Sequence, residues 1–120
     1  MNIKDIEAIP LNMRFKPDLE QSVLRSGLRA GKGRVTLYRV ELANGVVGYG
    51  EHLNGPDDVT EFIGQNAVAG LVQIRHAGVQ MALYDAVGKA LGVPAHELMG
   101  RQVRDKVPFA YWSCELGPEN

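Results

Sequence analysis

Glu51 and His52 stand side by side at the end of an apolar run, a carboxylate next to an imidazole, the pairing that general acid–base chemistry uses. Glu51 also suits a structural role, because a carboxylate at a strand end often accepts backbone N–H groups, and that role is favoured here. His52 is the stronger candidate for touching a ligand. His76 and His96 complete the histidines, but each is a score of residues or more from the next in sequence. With Cys114 as the one cysteine, a zinc site built from them is disfavoured. Cys114 itself has no evident base partner, so nucleophilic catalysis is disfavoured as well. Gly48-Tyr49-Gly50 and Gly31-Lys32-Gly33 superficially resemble phosphate loops, yet neither has G-x-G-x-x-G or Walker spacing. Their glycines are better read as permitting close backbone approach. Arg25, Arg29, Lys32 and Arg34 make a small basic patch that reads first as a solvated loop and second as an anion site.

The elements that must position these groups are legible. Residues 3–11 carry Ile3, Ile6, Ala8, Ile9 and Leu11 with an alternation that slips midway and Pro10 near the end, which predicts an edge strand. Residues 12–32 lose periodicity and gather Pro17, Gly27 and Gly31, which predicts a long loop. Residues 34–42 and 46–51 are rich in β-branched and aromatic side chains around Asn44-Gly45, the signal for a hairpin with a two-residue type I′ turn. Asp57 or Asp58 is placed to cap a short helix carrying Val59, Phe62 and Ile63, and residues 67–74 suit another.

The longest periodic tract follows. Val79, Ala82, Leu83, Ala86, Val87, Ala90 and Leu91 fall on one stripe of a helix over residues 77–91, with Met81 and Tyr84 as packing residues and Asp85 first on its wet side and second as a hydrogen-bonding group across an interface. Gly92 ends it and Pro94 prevents its resumption, before a single turn over residues 95–99 closed by Gly100. Strands first and helices after predict an α+β fold: a three-stranded antiparallel sheet followed by a helical bundle packed on one face. Residues 107–112, Val-Pro-Phe-Ala-Tyr-Trp, are a strand candidate with no partner left in the chain.

Composition narrows the setting. The 120 residues are 45% hydrophobic and 22% charged with a net charge of -1, enough for one modest core and without the charge excess that nucleic acid or an anionic membrane would select. One cysteine disfavours a disulfide-stapled secreted domain, and no signal-like or membrane-spanning run is visible, so a cytoplasmic setting is expected.

Four segments together resemble the N-terminal capping domain of the mandelate racemase and muconate lactonizing enzyme group of the enolase superfamily. They are Val35 to Val40 with Asn44-Gly45; Gly48-Tyr49-Gly50-Glu51; Gln80-Met81-Ala82-Leu83-Tyr84-Asp85-Ala86 with Gly88-Lys89 and Leu91-Gly92-Val93-Pro94; and Leu98-Met99-Gly100-Arg101 leading to Val107-Pro108. The resemblance implies a capping domain over residues 1–104 and the start of a (β/α) barrel over 105–120. It implies that a full-length relative abstracts a proton α to a carboxylate, with Mg²⁺ stabilising the ene-diolate and Lys or His as base. Such a barrel needs about 250 residues, and its metal ligands and bases sit at strand ends that this chain does not contain. No catalytic or metal-binding residue is therefore expected in these 120 residues, and the chain alone is expected to be inactive. What carries over is the cap's role: the loops at residues 15–29 and 52–56 would close over the barrel mouth, with Phe15, Leu24, Arg25, Leu28, Arg29, His52 and Leu53 as substrate contacts. The implied partners are the barrel domain and, in full-length form, a carboxylate substrate such as a sugar acid and further copies of the chain. The alternative is a free-standing, non-catalytic binding module derived from the cap.

Overall fold

The computed structural model describes residues 1–13, 16–17, 34–53, 55–56 and 58–110. Three antiparallel strands, β1 (Ile3–Asn12), β2 (Arg34–Leu42) and β3 (Val47–Leu53), lie in the order β1-β2-β3. The alternation that slips in the sequence of β1 is a register shift between Ile3 and Asp5, which puts both Ile3 and Ile6 in the core. Pro10 is tolerated because β1 is an edge strand. The inner face of β2 presents Thr36, Tyr38, Val40 and Leu42, all fully buried, which is the period-2 consequence of one covered sheet face.

The hairpin forms, but not with the two-residue turn expected at Asn44-Gly45. Leu42 N–H donates to Val46 O at 2.9 Å and Gly45 N–H donates to Leu42 O at 2.8 Å, so three residues, Ala43 to Gly45, make the loop. Gly45 alone among them is a glycine with positive φ, +83°, the left-handed position that a three-residue loop requires. Asn44 contributes through its side chain, which accepts Val46 N–H at 3.2 Å.

Two α-helices follow, α1 (Ala67–Gln73) and α2 (Ala77–Leu91). The short helix expected near Phe62 is only a 3₁₀ turn, Thr60–Phe62. Asp58 does not cap it as a helix N-cap; its Oδ1 accepts from Thr60 N–H at 3.2 Å and Oγ1 at 2.7 Å, an Asx turn whose hydrogen bonds hold the carboxyl below its ordinary pKa. Asp57 lies outside the described residues. Helix α1 is capped by Asn66, which accepts from Val68 and Ala69 N–H. Helix α2 ends in a Schellman arrangement: Gly92 has φ +70°, Val93 N–H donates to Gly88 O at 2.9 Å and Gly92 N–H to Lys89 O at 3.3 Å.

The core is the inner sheet face against α2. Val79, Ala82, Leu83, Ala86 and Val87 are fully buried, with Val59, Ala67, Leu71 and Ile74 closing the side. Leu91 departs from the expected stripe and is 56% exposed, because the helix ends there beyond the sheet. Met81, expected to pack, is 51% exposed. Gly48 and Gly50 on the inner face of β3 lie against α2 so closely that an added Cβ would overlap the helix backbone around Gly78, Ala82 and Ala86. The glycine pair is thus half of a close-packing seam, as close backbone approach predicts.

Asp85 is not simply on the wet side. Its Oδ2 accepts Tyr49 N–H at 2.9 Å and pairs with Lys89 Nζ at 2.6 Å, while Lys89 Nζ donates to Val47 O at 3.1 Å. One helix turn therefore satisfies two outward backbone groups of edge strand β3. On the outer face, Lys4 and Arg39 flank Glu41, holding its carboxyl below its ordinary pKa, Lys4 most. The described part of the expected barrel strand, residues 107–110, lies outside any helix or strand, with Val107 75% and Phe109 88% exposed. Among the described residues no helix is long and apolar enough to cross a membrane.

Candidate functional site

The sheet gathers its chemistry at one end. Asn12 pairs with Arg34, Leu11 with Val35 and Val35 with Leu53, so the chain leaves β1 and enters β2 at the end where β3 finishes. Any substrate-facing residues between β1 and β2 start from the same rim as His52 and Leu53. Of the expected contacts, His52 and Leu53 are exposed at that rim, Leu53 at 65%. Phe15, Leu24, Arg25, Leu28 and Arg29 lie outside the described residues. Glu51, directly across from Leu37, is also exposed.

Beneath the rim is a buried aromatic and hydroxyl cluster that periodicity alone did not single out. Thr36 Oγ1 donates to Gly55 O at 3.0 Å and Tyr38 Oη donates to Pro56 O at 2.7 Å, tying the residues after β3 down to the inner face of β2. The Tyr38 ring meets the His76 ring edge-on, with centroids 4.7 Å apart and planes at 75°. His52 lies on the other flank of His76 at 5.8 Å and Phe62 at 6.2 Å.

His76 is the N-cap of α2: its Nδ1 accepts Val79 N–H at 3.2 Å. An imidazole that accepts at Nδ1 carries its proton on Nε2 when neutral, and that atom is buried with no hydrogen-bond partner among the described residues. Burial, first, and the nearby His52, further, hold His76 below its ordinary pKa, with a backbone hydrogen bond and Glu61 opposing. The signal in the sequence was its place one residue ahead of the helix over residues 77–91, the N-cap position. His76 also lines an open cleft of about 450 Å³ with Glu61, Phe62, Gln65 and Arg75, of which His52 and Leu53 form no part.

Two of the histidines that lie far apart in sequence thus meet in space. No group of three His, Cys, Asp or Glu side chains converges as a metal site would require, among the described residues. The described residues therefore offer no ligand set that fits Mg²⁺.

Comparisons with known proteins fit this geometry. No protein-family model matches the chain. Its structure matches muconate lactonizing enzyme from Pseudomonas putida with a TM-score of 0.61 and 24% identity, over 88% of this chain and 34% of that one. A mandelate racemase/muconate lactonizing protein from Herpetosiphon aurantiacus matches with a TM-score of 0.55 and 20% identity, over 82% and 32%. In sequence, the chain is 40% identical over 70 residues to D-xylonate dehydratase of Haloferax volcanii, covering 58% of this chain and 15% of that protein. In fold, the chain is similar to the corresponding part of these solved structures, an α+β arrangement of a three-stranded antiparallel sheet with helices on one face. The chain is also 53% identical over 36 residues to D-galactonate dehydratase of Variovorax paradoxus, 30% of this chain and 9% of that one. It spans about a third of the solved structures it matches, and its alignments cover less than a sixth of these curated relatives.

Proposed function

We propose that this cap serves as the substrate-specificity domain of a cytoplasmic, homo-oligomeric sugar-acid dehydratase whose (β/α) barrel lies C-terminal to it, beginning near residue 105. The observation that carries the reading is the 70-residue, 40% match to D-xylonate dehydratase, to which the D-galactonate dehydratase match adds a second sugar acid. Dehydration of such an acid removes the proton α to the carboxylate and expels the β-hydroxyl. That proton is too weakly acidic for a side-chain base unless a cation takes up the developing charge, which is the part assigned to Mg²⁺ in the barrel. The cap's own part is to exclude water and to meet the end of the substrate remote from the carboxylate. His52 and Leu53, exposed on the rim, would offer a hydrogen-bonding imidazole and an apolar wall; Phe15, Leu24, Arg25, Leu28 and Arg29 would come from the facing loop. The exposed Val107 and Phe109 support a continuing chain over a free-standing binding module, since an apolar strand candidate without a partner invites association.

The test is to read the gene onward from codon 120, express its whole product and assay it with Mg²⁺ against a panel of aldonates that includes D-xylonate and D-galactonate. Formation of the 2-keto-3-deoxy acid from one of them is expected, with His52→Ala raising KM more than it lowers kcat. A reading frame that stops after Asn120, or a full-length product that turns over no sugar acid, overturns the proposal, the former in favour of the binding module.

A further inference from the structure

Gly55 and Pro56, just after β3, would serve as part of a mobile lid if they were loosely held, and the contacts beneath them say otherwise. Thr36 and Tyr38 stand two residues apart on the inner face of β2, both with no exposed surface. Their hydroxyls donate to consecutive carbonyls, Gly55 O and Pro56 O. Withdrawal of Gly55 would break the buried hydrogen bond of the Thr36 hydroxyl, where its loss is felt most, and withdrawal of Pro56 would break the part-buried bond of the Tyr38 hydroxyl. Gly55 is buried against the same phenol: a Cβ on it would overlap the Tyr38 hydroxyl and lie 3.0 Å from His52 Cβ. The Tyr38 ring is in turn clasped by α2, with His76 edge-on at 4.7 Å and Gly78 so close that its added Cβ would overlap the ring.

We propose that Thr36 and Tyr38 are positioning residues that make the turn through Gly55 and Pro56 a preformed wall, fixing where His52 and Leu53 are presented to a ligand. The inference rests on the substrate-contacting role proposed above for that rim. It deepens that role by making the cap read substrate shape with a rigid surface on this side, so that ordering costs are met on folding and not on binding. It also makes the N-terminal turn of α2 part of the site, since His76 and Gly78 hold the ring that holds the wall.

Amide hydrogen exchange measured by NMR on the 120-residue chain tests this without any substrate. Thr36→Val and Tyr38→Phe remove one hydroxyl each with shape nearly kept, and Thr36→Ser keeps the hydroxyl. In each hydroxyl-deleting variant the exchange rate at Gly55 is expected to rise about tenfold, the factor that one interior hydrogen bond sets, while Val79 and Leu83 in α2 keep their rates. Thr36→Ser should restore the native rate at Gly55. Unchanged exchange at Gly55, or an equal rise at every amide, overturns the proposal; if Thr36→Val does not fold, Tyr38→Phe alone decides. Because no sugar acid enters the measurement, a failed dehydratase assay and a failed wall are separate results.

Discussion

Replacing Gly50 with alanine should loosen the sheet from its helix, and the structure sets the size of the effect. A Cβ on Gly50 would lie 2.6 Å from Ala82 N and 2.8 Å from Met81 Cβ, and closer still to Gly78 O. Moving Gly78 O from 2.1 Å out to an ordinary contact of about 3.4 Å requires α2 to retreat by roughly 1.3 Å, and a gap of even 0.5–1 Å forfeits about a quarter to a half of a dispersion well. The obstacles are mostly helix backbone, so no side-chain rotation relieves them. Retreat would also draw Val79, Ala82, Leu83, Ala86 and Val87, all with no exposed surface, away from β2 and β3. Overpacking of this kind costs about 1–3 kcal/mol, and with rigid neighbours and five fully buried side chains moving together we expect about 3 kcal/mol. For a domain of this size that is a fall in Tm of roughly 12–24 °C. Gly45→Ala is the control: nothing lies within 4 Å of its added Cβ, so it meets only the left-handed φ of +83°, a cost of about 1 kcal/mol. Guanidinium unfolding followed by far-UV circular dichroism should therefore order the proteins wild type, Gly45→Ala, Gly50→Ala, with similar m-values. If Gly50→Ala proves no less stable than Gly45→Ala, the close-packed seam is not what joins α2 to β3.

His76 is held below its ordinary pKa of about 6.5, so the unfolded chain binds a proton that the folded chain refuses; stability should fall as pH drops below about 6.5, by at most about 1.4 kcal/mol per pH unit, and His76→Gln should flatten that limb of a denaturation series between pH 7.5 and 5. Glu41 and Asp58, whose pKa values are lowered, act in a separate window: their stabilisation is present above the carboxylate range and is lost only as pH falls through it, so Glu41→Gln should leave the limb above pH 5 unchanged. Asp85→Ala should cost about 1 kcal/mol, discounted for side chains that are 37% and 49% exposed, and by freeing Tyr49 N–H on the sheet edge should increase self-association in sedimentation velocity; an unchanged sedimentation profile counts against an edge-guarding role. Asn66→Ala should cost about 1 kcal/mol by thermal denaturation and Asn66→Asp much less, because the aspartate still accepts Val68 and Ala69 N–H.

What the sequence made legible was local. The helix over residues 77–91 was readable because its period, its Gly92 stop and Pro94 all act within a few residues, and the bulge of β1 was visible as a slipped alternation. The turn type was not, since Asn44-Gly45 suits two hairpin loops and the pairing of Leu42 with Val46 chooses between them. Asp85 read first as solvated, because a lone polar residue on a helix usually is; only the approach of β3, 36 residues away, decides for the hydrogen bond across an interface by giving it Tyr49 N–H. The same holds at the candidate site. His52 and Leu53 were named from what the resemblance implies for the loop after the third strand, but Thr36 and Tyr38 read as ordinary strand residues until the backbone at Gly55 and Pro56 lay over them.

These misses share a cause, and it bears on what the resemblance to the enolase superfamily means. One pair of the segments that carry the resemblance, Gly48-Tyr49-Gly50 and the helix with Ala82 and Ala86, is one contact written in two places. Its residue types are set by backbone proximity, which tolerates almost nothing larger, so the motif speaks to how the cap is built and carries no acid, base or ligand. Yet the seam is not remote from chemistry. Gly78 lies against both Gly50 and the Tyr38 ring, and Tyr38 holds Pro56. A helix displaced from β3 would release the ring, and through it the wall beside His52. The packing motif and the rim proposed to face substrate are therefore mechanically one unit, and a substitution in the seam should be felt at Gly55 before it is felt in α1, whose Leu71 O accepts from Gln80 Nε2 of α2.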